Sequence, residues 1–400
     1  MNRTESGTAP AARSLRGVAI LLLILAALAL TAFLLIISLR YLHPADEILF
    51  GEEDVRDRTE DLSGRADRFS AQLAADSLSE LTEIEIIQPE PAEEVPEEPK
   101  GYVIDKKALA GEIPNPACYG ESADPDEVEA VIAAAADLLG GEKTVWNRDL
   151  PFWEGSVTRW YRDETILVLS WTELTGGALC YNSEVKIADA SQFRRGLAGN
   201  KYGAGQQLLC SNMAAAANAV LASNADFYAY RVSGINVFRG KLYRCYPGLE
   251  NCFIDGKGDL LVTHAEELTT EEETLDYIRE NDVNFSISFG PILVENGEPA
   301  EPCYYYPVGQ PTDVSARAVL AQMGELHYLI MNVNYSTLAN LLTIVTDKEP
   351  IVAYTMDGGQ TGESILGGTI LNEIVFHAER TVSDIIYFAT AVPSEEEVLP

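Results

Sequence analysis

The sequence predicts an α+β fold of mixed, largely antiparallel sheets with flanking helices, preceded by a single transmembrane helix. Three observations carry that expectation. Short apolar or alternating runs bounded by glycine and turn residues outnumber helical patterns. Two pairs of such runs close as hairpins, around Arg239-Gly240 and Asp255-Gly256. Residues 17–39 are apolar without a charge, broken only by Thr31 and Ser38, and a bilayer core needs about 20 such residues.

Arg3, Arg13 and Arg16 precede the apolar run, whereas acidic residues take over soon after Arg40. The positive-inside rule then places residues 1–16 in the cytoplasm as a tail, residues 17–39 in the cell membrane as a signal anchor, and all that follows outside, a single-pass arrangement. A cleaved signal peptide is the rival reading, but the run is long for one and no small-residue cleavage site follows it cleanly. Residues 40–100 read as an acidic stalk. The stretch 88–100, QPEPAEEVPEEPK, combines proline with glutamate, cannot bury a core and stays extended. The 400 residues carry a net charge of -34. Such a balance argues against a nucleic-acid binder, which needs clustered Lys and Arg, and any anionic ligand would need a few local cations.

Residues 101–142 form a helical lead-in, with helical spacing over 126–139 that ends at Gly140-Gly141. The remaining domain, 143–396, opens with a strand over 165–171. A buried helix over 211–222, capped by Ser211, delivers the chain to Asn224 and Asp226. The two hairpins follow. Thr270 and Glu273 form a capping box that opens a helix running to about Glu280. Residues 285–289 alternate as a strand until Gly290-Pro291 breaks it. Further strands are expected over 316–323, 327–333, 351–356, 373–377 and 384–391, with a helix over 336–346 capped by Ser336.

Six cysteines, Cys118, Cys180, Cys210, Cys245, Cys252 and Cys303, form no CxxC and so no evident zinc site. Cys245 and Cys252 bracket a Pro-Gly turn and are the pair best placed for a local disulfide, but thiols packed as small hydrophobes are the favoured reading, since spacing alone says little. His264, His327 and His377 fit no metal spacing. No cofactor is implied; a divalent cation on Asp226 or Asp357 is compatible with the sequence but not demanded by it.

Asp357-Gly358-Gly359 ends the apolar run IVAYTM. A buried strand thus delivers a carboxylate into a turn whose glycines allow a ligand to approach the backbone. Alone, this is also an ordinary Asp-Gly turn. Four further stretches accompany it in order. The chain ASNADFYAYRVSGINVFRGKLYR, then SFGPILVENGE, ARAVLAQMG, IVAYTMDGGQTGESILGG and NEIVFHAERTVSDIIYF together resemble the phosphodiester glycosidase family. That family comprises proteins like N-acetylglucosamine-1-phosphodiester alpha-N-acetylglucosaminidase, with bacterial members often called exopolysaccharide-related. The resemblance spans about 143–393. Ala225 stands where the family has Gly, Met356 where it has Leu, and Gln360-Thr361-Gly362 where it has a Gly-Ser-Ser-like run.

The resemblance implies hydrolysis of a sugar-1-phosphate diester in a surface glycan or polymer. Carboxylates suit the oxocarbenium-like state at an anomeric carbon, and a guanidinium matches the diester's charge. On that basis Asp357 is the first candidate nucleophile or general base, Asp226 the second carboxylate and Arg317 the phosphate clamp. Arg239 is a secondary cation. Asn224, Ser288 and Thr361 would bond sugar or phosphate oxygens, beside the open backbone of Gly358 and Gly359. The bland counterparts are a turn aspartate at Asp226, a surface strand residue at Arg317, a solvated hairpin residue at Arg239 and a structural ion pair at Glu379-Arg380. Two functions of other kinds stand beside hydrolysis. One is a non-catalytic envelope protein that binds a glycopolymer in the same pocket; the other is an anchor whose partner docks on the stalk.

Overall fold

The computed structural model describes residues 110–148, 156–203, 207–226, 228–301 and 312–393. The tail, the 17–39 anchor, the stalk and Cys303 lie outside the described residues. Among the described residues no helix is long and apolar enough to cross a membrane.

The chain begins with β1 (Tyr119–Ser122), α1 (Pro125–Ala133) and α2 (Ala136–Leu139), then β2 (Thr158–Arg162), β3 (Ile166–Thr175), β4 (Ala178–Ile187) and β5 (Phe193–Leu197). The short helix α3 (Cys210–Ala216) leads into β6 (Leu221–Asn224). Two hairpins follow, β7 (Gly234–Phe238) with β8 (Lys241–Tyr246) and β9 (Asn251–Asp255) with β10 (Leu260–Thr263). After α4 (Glu271–Glu280) come β11 (Val283–Ile287), β12 (Ile292–Glu295), β13 (Glu298–Pro299), β14 (Ser315–Gly324) and β15 (His327–Ser336). The chain ends with α5 (Leu338–Thr346), β16 (Val352–Met356), β17 (Ser364–Leu366), β18 (Thr369–Ile370) and β19 (Asp384–Phe388). This is the α+β arrangement expected, rich in sheet.

The largest sheet runs β1-β2-β3-β4-β15-β14-β16-β12-β13, and a second runs β18-β17-β6-β19-β5. A three-stranded sheet, β10-β9-β11, and the β7-β8 hairpin complete the set. One face of the large sheet (Val168, Val185, Leu320, Ile330, Tyr354) packs on Phe193, Leu221, Ile254, Phe285 and Ile386 of the two smaller sheets. Its other face is covered by Val128 of α1, Leu139 of α2, and Leu338, Leu341 and Ile344 of α5. Period-two alternation therefore gives both faces of the central strands an apolar partner, which is why these strands read as continuous apolar runs. The lead-in segment contributes β1, which pairs with β2 through Tyr119↔Tyr161 and Ser122↔Thr158.

Several local expectations are corrected. The helix expected over 211–222 stops at Ala216, and residues 221–224 are strand β6. The alanine-rich run is helical by propensity, but pairing of Leu221 with Phe388 and Leu366 takes its end into a sheet. Ser211 is not the cap: Leu209 holds that position without a side-chain bond. Instead Glu379 reaches α3 from another part of the chain and accepts from Ser211 N (3.0 Å) and Oγ (2.7 Å). Thr337, not Ser336, caps α5, accepting from Asn340 N. The strand expected over 373–377 is a 3-10 turn with Phe376 and His377 at positive φ. Cys245 and Cys252 are free thiols, the reading favoured over a disulfide. They sit in different sheets, Cys245 opposite Ile235 and Cys252 opposite Val262, and Cys245 Sγ lies 3.3 Å from Thr274 Oγ1.

Candidate active site

Strands β6 and β16 belong to the two opposed sheets, and their C-terminal ends meet. The N–H of Asp357 donates to Ala225 O (3.0 Å). Asn224 reinforces the junction: its Nδ2 donates to Asp357 O (2.5 Å) and its Oδ1 accepts from Glu363 N (3.1 Å). The side chain of Asn224 is therefore a stitch between sheets, fully buried and engaged at both ends. This junction puts Asp226, two residues beyond β6, near Asp357, one residue beyond β16.

The glycines after Asp357 have separate physical reasons. A Cβ on Gly358 would lie 2.6 Å from Ala316 O and 3.3 Å from Arg317 Cα, so the turn presses against the β14 backbone. Gly359 has φ +67, a left-handed conformation that glycine adopts without penalty. The 3-10 turn that follows returns Thr361 to the carboxylate, with Oγ1 2.8 Å from Asp357 Oδ2 and 2.7 Å from Gly358 O.

The two carboxyls have opposite environments. Asp226 is buried, and burial opposes its charge. Arg231, then Arg195 and Arg244, outweigh burial and hold its carboxyl below the ordinary range. The contacts explain this. Arg231 Nη2 is 2.8 Å from Oδ1, and Oδ2 accepts from Ser288 N–H (3.1 Å) and Asn236 Nδ2 (3.4 Å). Arg195 Nη2 stands 3.7 Å from Oδ2 and bridges to Asp384 Oδ2 at 2.6 Å. Asp384 in turn accepts the Asp226 N–H (3.2 Å). Asp357 faces the reverse balance. Burial pushes its carboxyl up to about 7; the Thr361 hydroxyl opposes the rise, Asp226 adds to it, and Arg231 and Arg380 oppose it. Two interacting carboxyls thus differ in protonation near neutral pH, the pattern of an acid–base or nucleophile–stabiliser pair.

The structure brings Asn224, Asp226, Ser288, Asp357, Gly358, Gly359 and Thr361 together at this junction. Ser288 contributes its N–H to Asp226; its hydroxyl bonds Ile235 O (2.6 Å) and Asn251 Oδ1 (2.8 Å). Arg317 follows in β14, one residue before Ala318, the register partner of Met356, so its backbone forms the wall beneath Gly358. Its guanidinium turns elsewhere, with Nη2 donating to Asp313 O (3.0 Å), and burial lowers its basicity against the pull of Asp313. Arg239, at the β7–β8 turn, lies over the Phe238 ring and lines a cavity of about 240 Å³ with Arg194, Asp255, Asp282 and Tyr387. None of Asn224, Asp226, Asp357 or Thr361 lines that cavity.

The cations that act on the carboxyls are others: Arg231, Arg195, Arg244 and Arg380. Arg380 lies over the Tyr230 ring, 5.5 Å from its centroid, while its sequence neighbour Glu379 serves α3. Arg195 carried a legible signal, since an arginine alternating with Phe193 and Leu197 in a strand points inward and must be paired. Arg231 carried none. It lies in an irregular loop five residues after Asp226, where spacing fixes no direction. Glu363, buried just before β17, also escaped notice. Burial first and then neighbouring Glu379 push its carboxyl up to about 9.

No protein-family model matches the chain, and no curated protein matches it. Solved structures do. The zebrafish N-acetylglucosamine-1-phosphodiester alpha-N-acetylglucosaminidase catalytic domain, auto-inhibited by its pro-peptide, is 17% identical at a TM-score of 0.44, covering 56% of this chain and 82% of that one. A hypothetical protein from Synechocystis is 13% identical at 0.42, covering 60% and 64%. A putative exported protein from Burkholderia pseudomallei K96243 is 10% identical at 0.37, covering 54% and 76%. These are distant likenesses at the level of fold.

Proposed function

We propose that the chain is a hydrolase of glycosyl phosphodiesters, cleaving a sugar-1-phosphate diester of a surface glycan or polymer to a free sugar and a phosphomonoester. The observation that carries this reading is the meeting of Asp226 and Asp357 at one junction of two sheets, with Arg231 acting on both. The order of the sequence motifs supports the same class. The charge asymmetry around residues 17–39 supports placement of the domain outside the cell membrane, held by that anchor.

In this reading Asp357 acts at the anomeric carbon. A carboxyl near pKa 7 is present in both forms at neutral pH, which suits a group that gains or yields a proton during turnover. Thr361 fixes one of its oxygens and leaves the other to face substrate. Asp226, held ionised by arginines, adds negative potential that favours an oxocarbenium-like state. The leaving phosphomonoester is a weak base, so protonation of the departing oxygen contributes less than for an alcohol.

The test is release of reducing sugar from a panel of sugar-1-phosphate diesters by the full chain in detergent. Wild type releases sugar from at least one member, and Asp357→Asn reduces the rate by about 10³-fold or more while remaining folded. Binding of the diesters without release from any of them would instead identify a glycopolymer-binding protein. Undiminished turnover by Asp357→Asn would remove that residue from the chemistry.

A further inference from the structure

The loop between β6 and β7 carries donors that the fold itself does not use. Arg231 spends Nη2 on Asp226, yet its Nε and Nη1 are buried with no hydrogen-bond partner among the described residues. Its side chain is only 9% exposed. The Phe289 ring lies against one side of the guanidinium, 5.5 Å from its carbon, which fixes the plane and leaves its edges to bond. The hydroxyl of Tyr228, a residue 2% exposed, likewise has no partner among the described residues.

Arg244 completes the group. Its Nη1 donates to Tyr228 O (2.8 Å) and Arg231 O (2.7 Å), and its Nε to Gly234 O (3.3 Å). It therefore clasps the loop that bears Tyr228 and Arg231, and its Nη2 remains buried without a partner among the described residues. Arg231, Arg195 and Asp226 all act on the charge of Arg244, so these groups share one locality. Four guanidiniums, Arg195, Arg231, Arg244 and Arg380, act on Asp226, Asp357 and Asp384 there, leaving one positive charge in excess with all three carboxyls ionised. Buried donors without acceptors are costly to a fold, and oxygens of a bound anion would supply the missing acceptors.

We propose that Arg231, Arg244 and the Tyr228 hydroxyl form the seat of the phosphoryl group, in place of Arg317 and Arg239, the cations that sequence alone favours. The identity of the anion as phosphoryl rests on the hydrolase reading above; the existence of an anion seat rests on the geometry alone. A seat of this kind takes the phosphomonoester product and inorganic phosphate as well as the diester, so phosphate inhibits.

The experiment is calorimetric titration of the full chain in detergent micelles with inorganic phosphate at pH 8, and with sulfate as a second tetrahedral dianion. Wild type binds phosphate. Arg231→Lys keeps a positive charge for Asp226 but loses the planar fork that places Nε and Nη1, and it weakens phosphate binding by about tenfold or more, with thermal unfolding near wild type. Tyr228→Phe weakens it by about three- to tenfold. Arg239→Gln and Arg317→Lys stay within about twofold. Arg231→Lys binding like wild type, wild type failing to bind at tens of millimolar, or the loss appearing in Arg239→Gln or Arg317→Lys instead each overturns the proposal. Sugar release measured on the same proteins separates the two claims. Turnover with phosphate binding indifferent to Arg231 sinks the seat and spares the hydrolase, whereas Arg231-dependent binding without turnover does the opposite.

Discussion

Asp357 is the residue on which protonation, stability and chemistry meet. Its folded pKa of about 7 lies above the ordinary 3.8, so the folded chain holds a proton that the unfolded chain has lost. The stabilising contribution is full below the ordinary value and disappears as pH rises through about 7. Asp357→Asn carries no such loss. Its unfolding free energy should match wild type near pH 4 and exceed it at pH 8, by a margin on the order of a few kcal/mol in denaturant titrations. A variant that is more stable yet inactive is what a strained functional carboxyl predicts; equal stability at both pH values would count against a raised pKa. Thr361 supplies a second check. Its hydroxyl opposes the rise, so Thr361→Val should move the ionisation of Asp357 upward, seen as an alkaline shift of the matching limb in the pH–rate profile.

At the scale of elements, the two turns that build the junction impose different demands. Gly358→Ala drives a Cβ into Ala316 O, a backbone atom of a central strand that cannot swing aside. The substitution should cost about 1–3 kcal/mol in denaturant unfolding and lower turnover through displacement of Asp357. Glu363, just before β17, has a carboxyl raised to about 9. Its contribution to stability is full below the ordinary 4.5 and is lost as pH climbs through about 9, so Glu363→Gln should flatten the decline of wild-type stability between about pH 5 and 9. Strand elements were legible in the sequence because their continuous apolar runs are a local signal, as for β14, β15 and β16. Element ends were not. Residues 217–222 continue an alanine-rich helical pattern, and only pairing with β17 and β19, far along the chain, draws the end of that run into a sheet. Ser211 looked like a cap because the acceptor that engages it, Glu379, is distant in sequence.

The whole molecule explains why the site was half legible. Two carboxylates at strand ends followed by turn residues could be picked out, since a sandwich of opposed sheets exposes strand ends at its rim. The partner of each carboxylate could not. Arg317 was attractive because its strand resembles the family's and a guanidinium suits a diester, yet a strand position does not dictate where a long side chain reaches, and its guanidinium goes to Asp313 O. Arg231 sits in a loop whose path depends on the grip of Arg244, a tertiary fact with no sequence period. The acidic chain as a whole repels anions, so a local excess of guanidinium charge is what would admit one. Binding of phosphate should therefore weaken steeply with added salt, losing about tenfold or more between roughly 0.05 and 0.5 M sodium chloride in the titration.

The most direct test of the chemistry is the fate of water oxygen during cleavage. Hydrolysis of an active sugar-1-phosphate diester in water enriched in oxygen-18, followed by mass spectrometry of both products, reports which bond breaks. Attack at the anomeric carbon, assisted by Asp357, puts the label in the released sugar and leaves the phosphomonoester unlabelled. Label in the phosphomonoester instead would mean that the phosphorus–oxygen bond is cut, and the Asp226–Asp357 pair would then have no part at the anomeric carbon.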